Sequence, residues 1–285
     1  MPSLFATSDL HVTHEGNAPL VDLVLPDSPE DWLLVAGDVA ERVESVVDIL
    51  TVLRERFAKV VWVPGNHELW TTHADPSQLR GQARYEHLVE RCRAIEVLTP
   101  EDEYPVWPYA ERPLTIAPLF VLYDYSWRTP QAQHESLAGA LEQAREAGVV
   151  CTDELFLHPD PHPSRQAWCA QRLKNSTERL SAIPEDHRTI LMSHWPLHRH
   201  PTQPLYWPEF ALWCGTTETE DWHVRYRAEV AVYGHLHIPR TTHADGVRFE
   251  EVSLGYPREW RKRARGPVPL RRILGTVQET CRTVS

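Results

Sequence analysis

Val60-Val61-Trp62-Val63-Pro64-Gly65-Asn66-His67-Glu68 is the stretch that most restricts what this chain can become. Four apolar residues run unbroken into Pro-Gly, the pattern of a buried strand stopped by a turn. The side chains delivered at its carboxyl end are an amide, an imidazole and a carboxylate. In open α/β sheets that edge is where ligands bind. The same kind of ending recurs elsewhere in the chain.

Leu4–Ser8 reads as a short strand ending in Asp9-Leu10-His11, and Trp32–Ala36 as a second ending in Gly37-Asp38. Between Asp38 and the third strand, Val43, Val46, Val47, Leu50 and Phe57 recur at helical spacing with one face for the core. Thr189–Met192 runs into Ser193-His194, and Val230–Tyr233 into Gly234-His235-Leu236-His237. Strands alternating with helices imply βαβ units, right-handed crossovers and an α/β fold. A further helix is expected over 78–93. The β-rich segment 114–123 contains Pro118, which confines it to an edge or breaks it. A hairpin over 241–253 should turn at Asp245-Gly246.

Residues 130–187 read as a helical insertion, with pieces near 131–147 and 164–181 and Ser164 as N-cap of the second. An aromatic loop with Trp195, Trp207, Trp213 and Trp222 occupies about 195–227. Residues 1–257 are expected to form a single domain, followed by a basic tail over 258–285 with no period.

The formal net charge of −11 counts against tight binding to a phosphate backbone. Cys92, Cys151, Cys169, Cys214 and Cys281 are scattered, odd in number and without a CxxC pair, as in reduced intracellular proteins. The N-terminus lacks a basic region followed by an apolar run, and no segment reaches the roughly 18 apolar residues of a membrane span. The expectation is a cytoplasmic chain with no membrane association.

Together the strand ends supply carboxylates, an amide oxygen and several imidazoles. Mixed oxygen and nitrogen donors without thiolate suit Mn, Fe, Zn or Ni. They outnumber what one tetrahedral zinc needs, whereas two ions about 3.5–4 Å apart, bridged by a carboxylate, would use them all. Each motif alone has a plain structural reading: Gly-Asp is often a helix N-cap, and His-x-His is common. All of them falling at strand ends in one compatible order is not so explained.

Asp9-x-His11, Gly37-Asp38, Gly65-Asn66-His67-Glu68, His194 and Gly234-His235-x-His237 resemble the five ordered motifs of the calcineurin-like metallophosphoesterases. Ser253-Leu254-Gly255-Tyr256-Pro257 resembles a segment of bacterial cytoplasmic members. The resemblance implies a two-sheet β-sandwich flanked by helices, with the site at the strand carboxyl ends. It implies that Asp9, His11, Asp38 and His237 hold one divalent metal, and that Asp38 bridges to a second completed by Asn66, His194 and His235. Manganese leads among the candidate ions. His67 is then a non-ligand general acid. Water between two cations deprotonates near neutral pH and attacks the phosphate in line, and His67 protonates the leaving alkoxide. The implied substrate is a monoester or diester of a small or medium phosphorylated metabolite.

Gly37-Asp38-Val39-Ala40-Glu41-Arg42 also resembles the protein Ser/Thr phosphatase branch, where the acid orients the histidine and the arginine clamps phosphate. Val43 stands where that branch has Gly, so protein phosphates are not the expected substrate. His198 is a further candidate for substrate contact. His67-Glu68-Leu69-Trp70-Thr71 begins like a zinc-protease helix but has Thr at position 71. The basic cluster Arg258, Arg261, Lys262, Arg263 and Arg265 reads either as an anion-attracting surface or as a solvated tail. Two other functions use the same ligands: a metal-dependent nuclease, which the acidic balance opposes, and a non-catalytic metal-bound scaffold. The sequence identifies no protein partner.

Overall fold

Short apolar runs become strands and amphipathic runs become helices, and the computed structural model describes both across residues 2–275. In chain order they are β1 (Leu4–Thr7), β2 (Trp32–Val35), α1 (Val43–Arg56), β3 (Lys59–Trp62), α2 (Asn66–Leu69), α3 (Gly81–Ala94), β4 (Val106–Trp107) and β5 (Leu114–Pro118). Then come α4 (Leu137–Glu146), α5 (Asp153–Phe156), α6 (Arg165–Ser181), β6 (Arg188–Met192), α7 (Trp222–Arg225), β7 (Ala228–Tyr233), β8 (Thr241–Ala244), β9 (Val247–Glu251), α8 (Pro257–Trp260) and β10 (Arg271–Leu274).

The strands form two sheets, ordered β10-β1-β2-β3 and β4-β5-β6-β7-β9-β8. β1, β2 and β3 run parallel, as do β5, β6, β7 and β9. Leu34, Ala36 and Val61 from one sheet meet Ile116, Ile190, Met192 and Val232 from the other, so a sandwich core lies between them. The outer face of the first sheet is covered by α1 and α3 through Val46, Leu50, Leu53 and Leu88. Each such side chain stabilises the fold by about 1.5–3 kcal/mol when fully buried. This is the α/β two-sheet sandwich flanked by helices that the motifs imply.

Pro118 is the last residue of β5. It ends the strand within the expected segment 114–123, and only β6 pairs beside it, since β4 reaches no further than Leu114 and Thr115. Ser164 caps α6, its hydroxyl accepting from the Ala167 N–H at 3.1 Å. Asp245 and Gly246 both take positive φ, 50° and 78°, and turn the β8–β9 hairpin.

Residues from 258 do not all stand free of the fold. Arg271–Leu274 pairs antiparallel with β1, and Ile273 enters the core between the sheets. No hydrophobic period marks this strand, because Arg271 and Arg272 are spent on Glu250 and Asp27. Cys281 and the rest of 276–285 lie outside the described residues. No helix among the described residues is long and apolar enough to cross a membrane.

Candidate metal centre

β1, β2 and β3 of one sheet and β6 and β7 of the other end at a common edge. Asp9 and His11 follow β1, Asp38 follows β2, and Asn66 and His67 open α2 after β3. His194 follows β6, and His235 and His237 follow β7. Asp9, His11, Asp38, His235 and His237 all have left-handed backbone, with φ of 54°, 40°, 56°, 70° and 56°. Non-glycine residues rarely adopt that region, and such strain persists only where the surroundings enforce it. Backbone bonds enforce part of it here: the Asp9 N–H donates to Gly37 O at 2.9 Å, and the His11 N–H to Asp38 O at 3.0 Å. Gly65 must be glycine, since a Cβ there would lie 2.1 Å from Asp38 Oδ1.

Two groups of donor atoms result. In the first, His237 Nε2 lies 2.9 Å from Asp9 Oδ1 and 3.2 Å from His11 Nε2, which is 3.8 Å from Asp38 Oδ2. In the second, His194 Nε2 lies 3.1 Å from Asn66 Oδ1, 3.2 Å from His235 Nδ1 and 3.4 Å from Asp38 Oδ2. Asp38 belongs to both.

Proton accounting shows that the second group fits a cation. His194 Nδ1 lies 2.8 Å from Ala36 O. A carbonyl only accepts, so Nδ1 holds the proton and a neutral His194 turns a lone pair inward at Nε2. The Asn66 amide nitrogen donates outward to Asp153 Oδ1 at 2.9 Å, which turns Oδ1 inward too. A lone pair, an amide oxygen and a carboxylate oxygen thus converge with no donor among them. Donor separations near 3 Å match ligands placed about 2.0–2.2 Å from a shared ion.

Ionisation points the same way. Burial holds His194 down to about 4 and lowers His11 and His235 strongly, which keeps their lone pairs available. Asp38 is pushed well up by burial and then by the charges of Glu68 and Asp9, so this carboxylate sits among anions without a cation to balance it. His237 behaves oppositely. Burial would lower it, but the charge and hydrogen bond of Asp9, with help from Glu259, push it up to about 10.

Supporting residues hold these donors in place. Glu68 accepts from the N–H groups of Asp38, Val39 and Gly65 at 2.7–2.9 Å, tying the ends of β2 and β3 together. Asp153, the first residue of α5, is buried and accepts from both Asn66 and Trp70. Glu259 accepts from His237 Nδ1 at 2.8 Å. The Trp70 ring lies over His67 with centroids 3.7 Å apart. The Tyr256 hydroxyl is 3.3 Å from His67 Nε2, and its ring stacks on His11. Asp153 and Glu259 carry no local signal, whereas Tyr256 falls in the segment Ser253–Pro257.

His67 Nε2 faces the centre, 3.8 Å from Asp38 Oδ2, and Glu41 Oε1 holds its Nδ1 at 3.0 Å. Despite burial, bonding to His67 and Thr13 keeps Glu41 ionised, with its pKa down to about 2. Arg42 is exposed ahead of α1 and does not line the cavity over the centre. His198 lies away from it too, against His200, His223 and Phe249. The cavity, about 490 Å³, is floored by Asp38, Asn66, His67, His235 and His237 and walled by Trp70, Trp207, Phe210 and Tyr256. Of the loop tryptophans only Trp207 reaches it; Trp195, Trp213 and Trp222 are buried in the clusters that pack this region.

A two-sheet α/β sandwich with paired donor groups at its converging strand ends defines a metallophosphoesterase. The family model for calcineurin-like phosphoesterases matches residues 3–239, and the chain belongs to that family. It is 55% identical over 262 residues to acyl-carrier-protein phosphodiesterase PptH of Mycobacterium tuberculosis, covering 92% of this chain and 80% of the relative. The crystal structure of phosphopantetheinyl hydrolase (PptH) from Mycobacterium tuberculosis superimposes with a TM-score of 0.92 at 54% identity, over 97% of each chain. The chain is accordingly a phosphoesterase with a candidate metal-binding site.

Proposed function

We propose that this chain hydrolyses the phosphodiester joining a phosphopantetheinyl group to a carrier protein, releasing phosphopantetheine and a free protein hydroxyl. The observation that carries the reading is the pair of donor groups sharing Asp38 on the floor of an open, aromatic-walled cavity. The relatives' names supply the substrate class, so a protein-borne group replaces the small or medium metabolite suggested by sequence alone. One arginine, Arg258, lines the cavity. That is modest cationic provision for a monoester dianion and suits a diester monoanion.

Asp9, His11, Asp38 and His237 would hold one divalent ion, and Asp38, Asn66, His194 and His235 the second, with manganese the leading candidate. Bound there, two such ions acidify water and polarise phosphoryl oxygens. The protein's own groups do the rest. Trp70 lies on a face of the His67 ring, the Tyr256 hydroxyl reaches its Nε2, and Glu41 anchors its Nδ1. His67 Nε2 then delivers a proton to the leaving oxygen. Among the described residues, Cys92, Cys151, Cys169 and Cys214 are buried and unpaired, which supports a cytoplasmic site of action.

Purified protein loaded with Mn²⁺ should be assayed on holo-acyl carrier protein, bis(4-nitrophenyl) phosphate, 4-nitrophenyl phosphate and single-stranded DNA. Apo-carrier protein should accumulate, and the aryl diester should turn over faster than the monoester. Faster cleavage of DNA than of carrier protein would make the chain a nuclease. Two bound metals with no turnover of any substrate would make it a scaffold.

A further inference from the structure

We infer that the outward face of residues 258–265, together with Tyr206 and Trp207, is a docking surface for an acidic face of the protein that carries the diester. The inference rests on the proposed function and names the surface that would recognise its macromolecular half. Within an acidic chain, Arg258, Arg261, Lys262, Arg263 and Arg265 fall inside eight consecutive positions. Glu259, the one acid among them, is turned inward to His237 and the Tyr256 N–H, so it cancels none of the outward charge. Arg263 is also turned inward, donating to the carbonyls of Leu254 and His237. Arg258, Arg261, Lys262 and Arg265 remain exposed, and none forms an ion pair among the described residues.

Position gives the patch its meaning. Arg258 lines the catalytic cavity, but Arg261, Lys262 and Arg265 lie beyond its lining. These three take no part in lining the cavity, so any contact they make is with a substrate that extends beyond it. Tyr206, 85% exposed, and Trp207, 50% exposed, line the same cavity. Exposed aromatic side chains are the groups that anchor protein interfaces, and a basic rim steers and orients an acidic partner. The rest of the surface is net acidic and repels an extended polyanion, so a folded protein with a localised acidic face suits this mouth better than a nucleic acid.

The test is the triple variant Arg261→Glu/Lys262→Glu/Arg265→Glu, loaded with Mn²⁺ and matched to wild type in circular dichroism and melting temperature. With holo-acyl carrier protein, KM should rise about ten-fold or more with kcat little changed, and the salt dependence of kcat/KM should flatten. With bis(4-nitrophenyl) phosphate the variant should stay within about two-fold of wild type, since these residues act on docking alone. Lysine at 261 and 265 with Lys262 retained should restore the carrier-protein KM. Unchanged kinetics on carrier protein, while wild type cleaves it, overturns the surface alone. Wild type that cleaves the aryl diester but not carrier protein overturns the proposed function and this inference with it. A loss confined to single-stranded DNA cleavage assigns the patch to nucleic acid and overturns the proposal.

Discussion

Asn66 gives its amide hydrogen to Asp153 Oδ1 over 2.9 Å, a contact that spans 87 residues of sequence. It makes α5 part of the candidate metal centre. Without it, nothing holds the amide with its nitrogen outward and its oxygen toward His194. Asp153→Ala should lower affinity for the ion held by Asn66, His194 and His235 about 10- to 100-fold, the usual effect of removing a ligand's orienting partner. The ion held by Asp9, His11 and His237 should remain. Manganese titration followed by calorimetry checks this; loss of both ions together would show a global defect.

His67 touches Glu41, Trp70 and Tyr256, and its Nε2 lies within donor distance of His11 and Asp38, so its role as acid rather than ligand is the point to test. His67→Ala should keep metal stoichiometry while kcat falls about 10²- to 10⁴-fold, the range for a lost general acid. The loss should grow as the leaving group becomes more basic, so rates across aryl diesters of graded phenol pKa are the measurement. Equal loss of metal and activity would remove the acid role.

The strand ends were legible because parallel strands buried on both faces read as unbroken apolar runs, and polar residues at their stops have few structural uses. That placed Asp9, Asp38, His194 and His237 at one edge before any coordinates. Asp153 was not legible. Its partner is remote in sequence, and a helix as short as α5 carries no period pointing to Asn66. Glu68 falls inside a motif, yet its role was not legible, because its three backbone donors come from two strand ends that only folding brings together. Arg271–Leu274 was hidden for a related reason: its arginines face acids across the fold, which removes the apolar alternation that marks a strand.

Gly65→Ala tests how tightly the centre is packed. The added Cβ would lie 2.1 Å from Asp38 Oδ1 and 2.8 Å from Asp38 N, so the bridging carboxylate or the β3 turn must move. The variant should lose about 1–3 kcal/mol of stability, typical of overpacking, and lose metal binding with it. Differential scanning calorimetry of the metal-free form separates the two effects. An unchanged melting temperature with full metal occupancy would contradict the geometry.

His237 couples metal binding to pH. In the metal-free protein it bridges two carboxylates, donating from Nδ1 to Glu259, while Asp9 sits at Nε2. These contacts outweigh burial and push it up to about 10. The unfolded value is about 6.5. The folded pKa is therefore raised, and the stability His237 lends the metal-free fold is complete below about pH 6.5 and disappears as pH rises through about 10. A metal ion must displace the Nε2 proton. Manganese binding at pH 8 should thus release at least one proton, and apparent affinity should climb up to about ten-fold per pH unit below 10. Calorimetry in two buffers of different ionisation enthalpy counts the protons directly. Glu259→Gln removes one of the two carboxylates that stabilise the imidazolium, so it should lower the pH at which affinity levels off. Binding that releases no proton at pH 8 would place the metal somewhere other than His237.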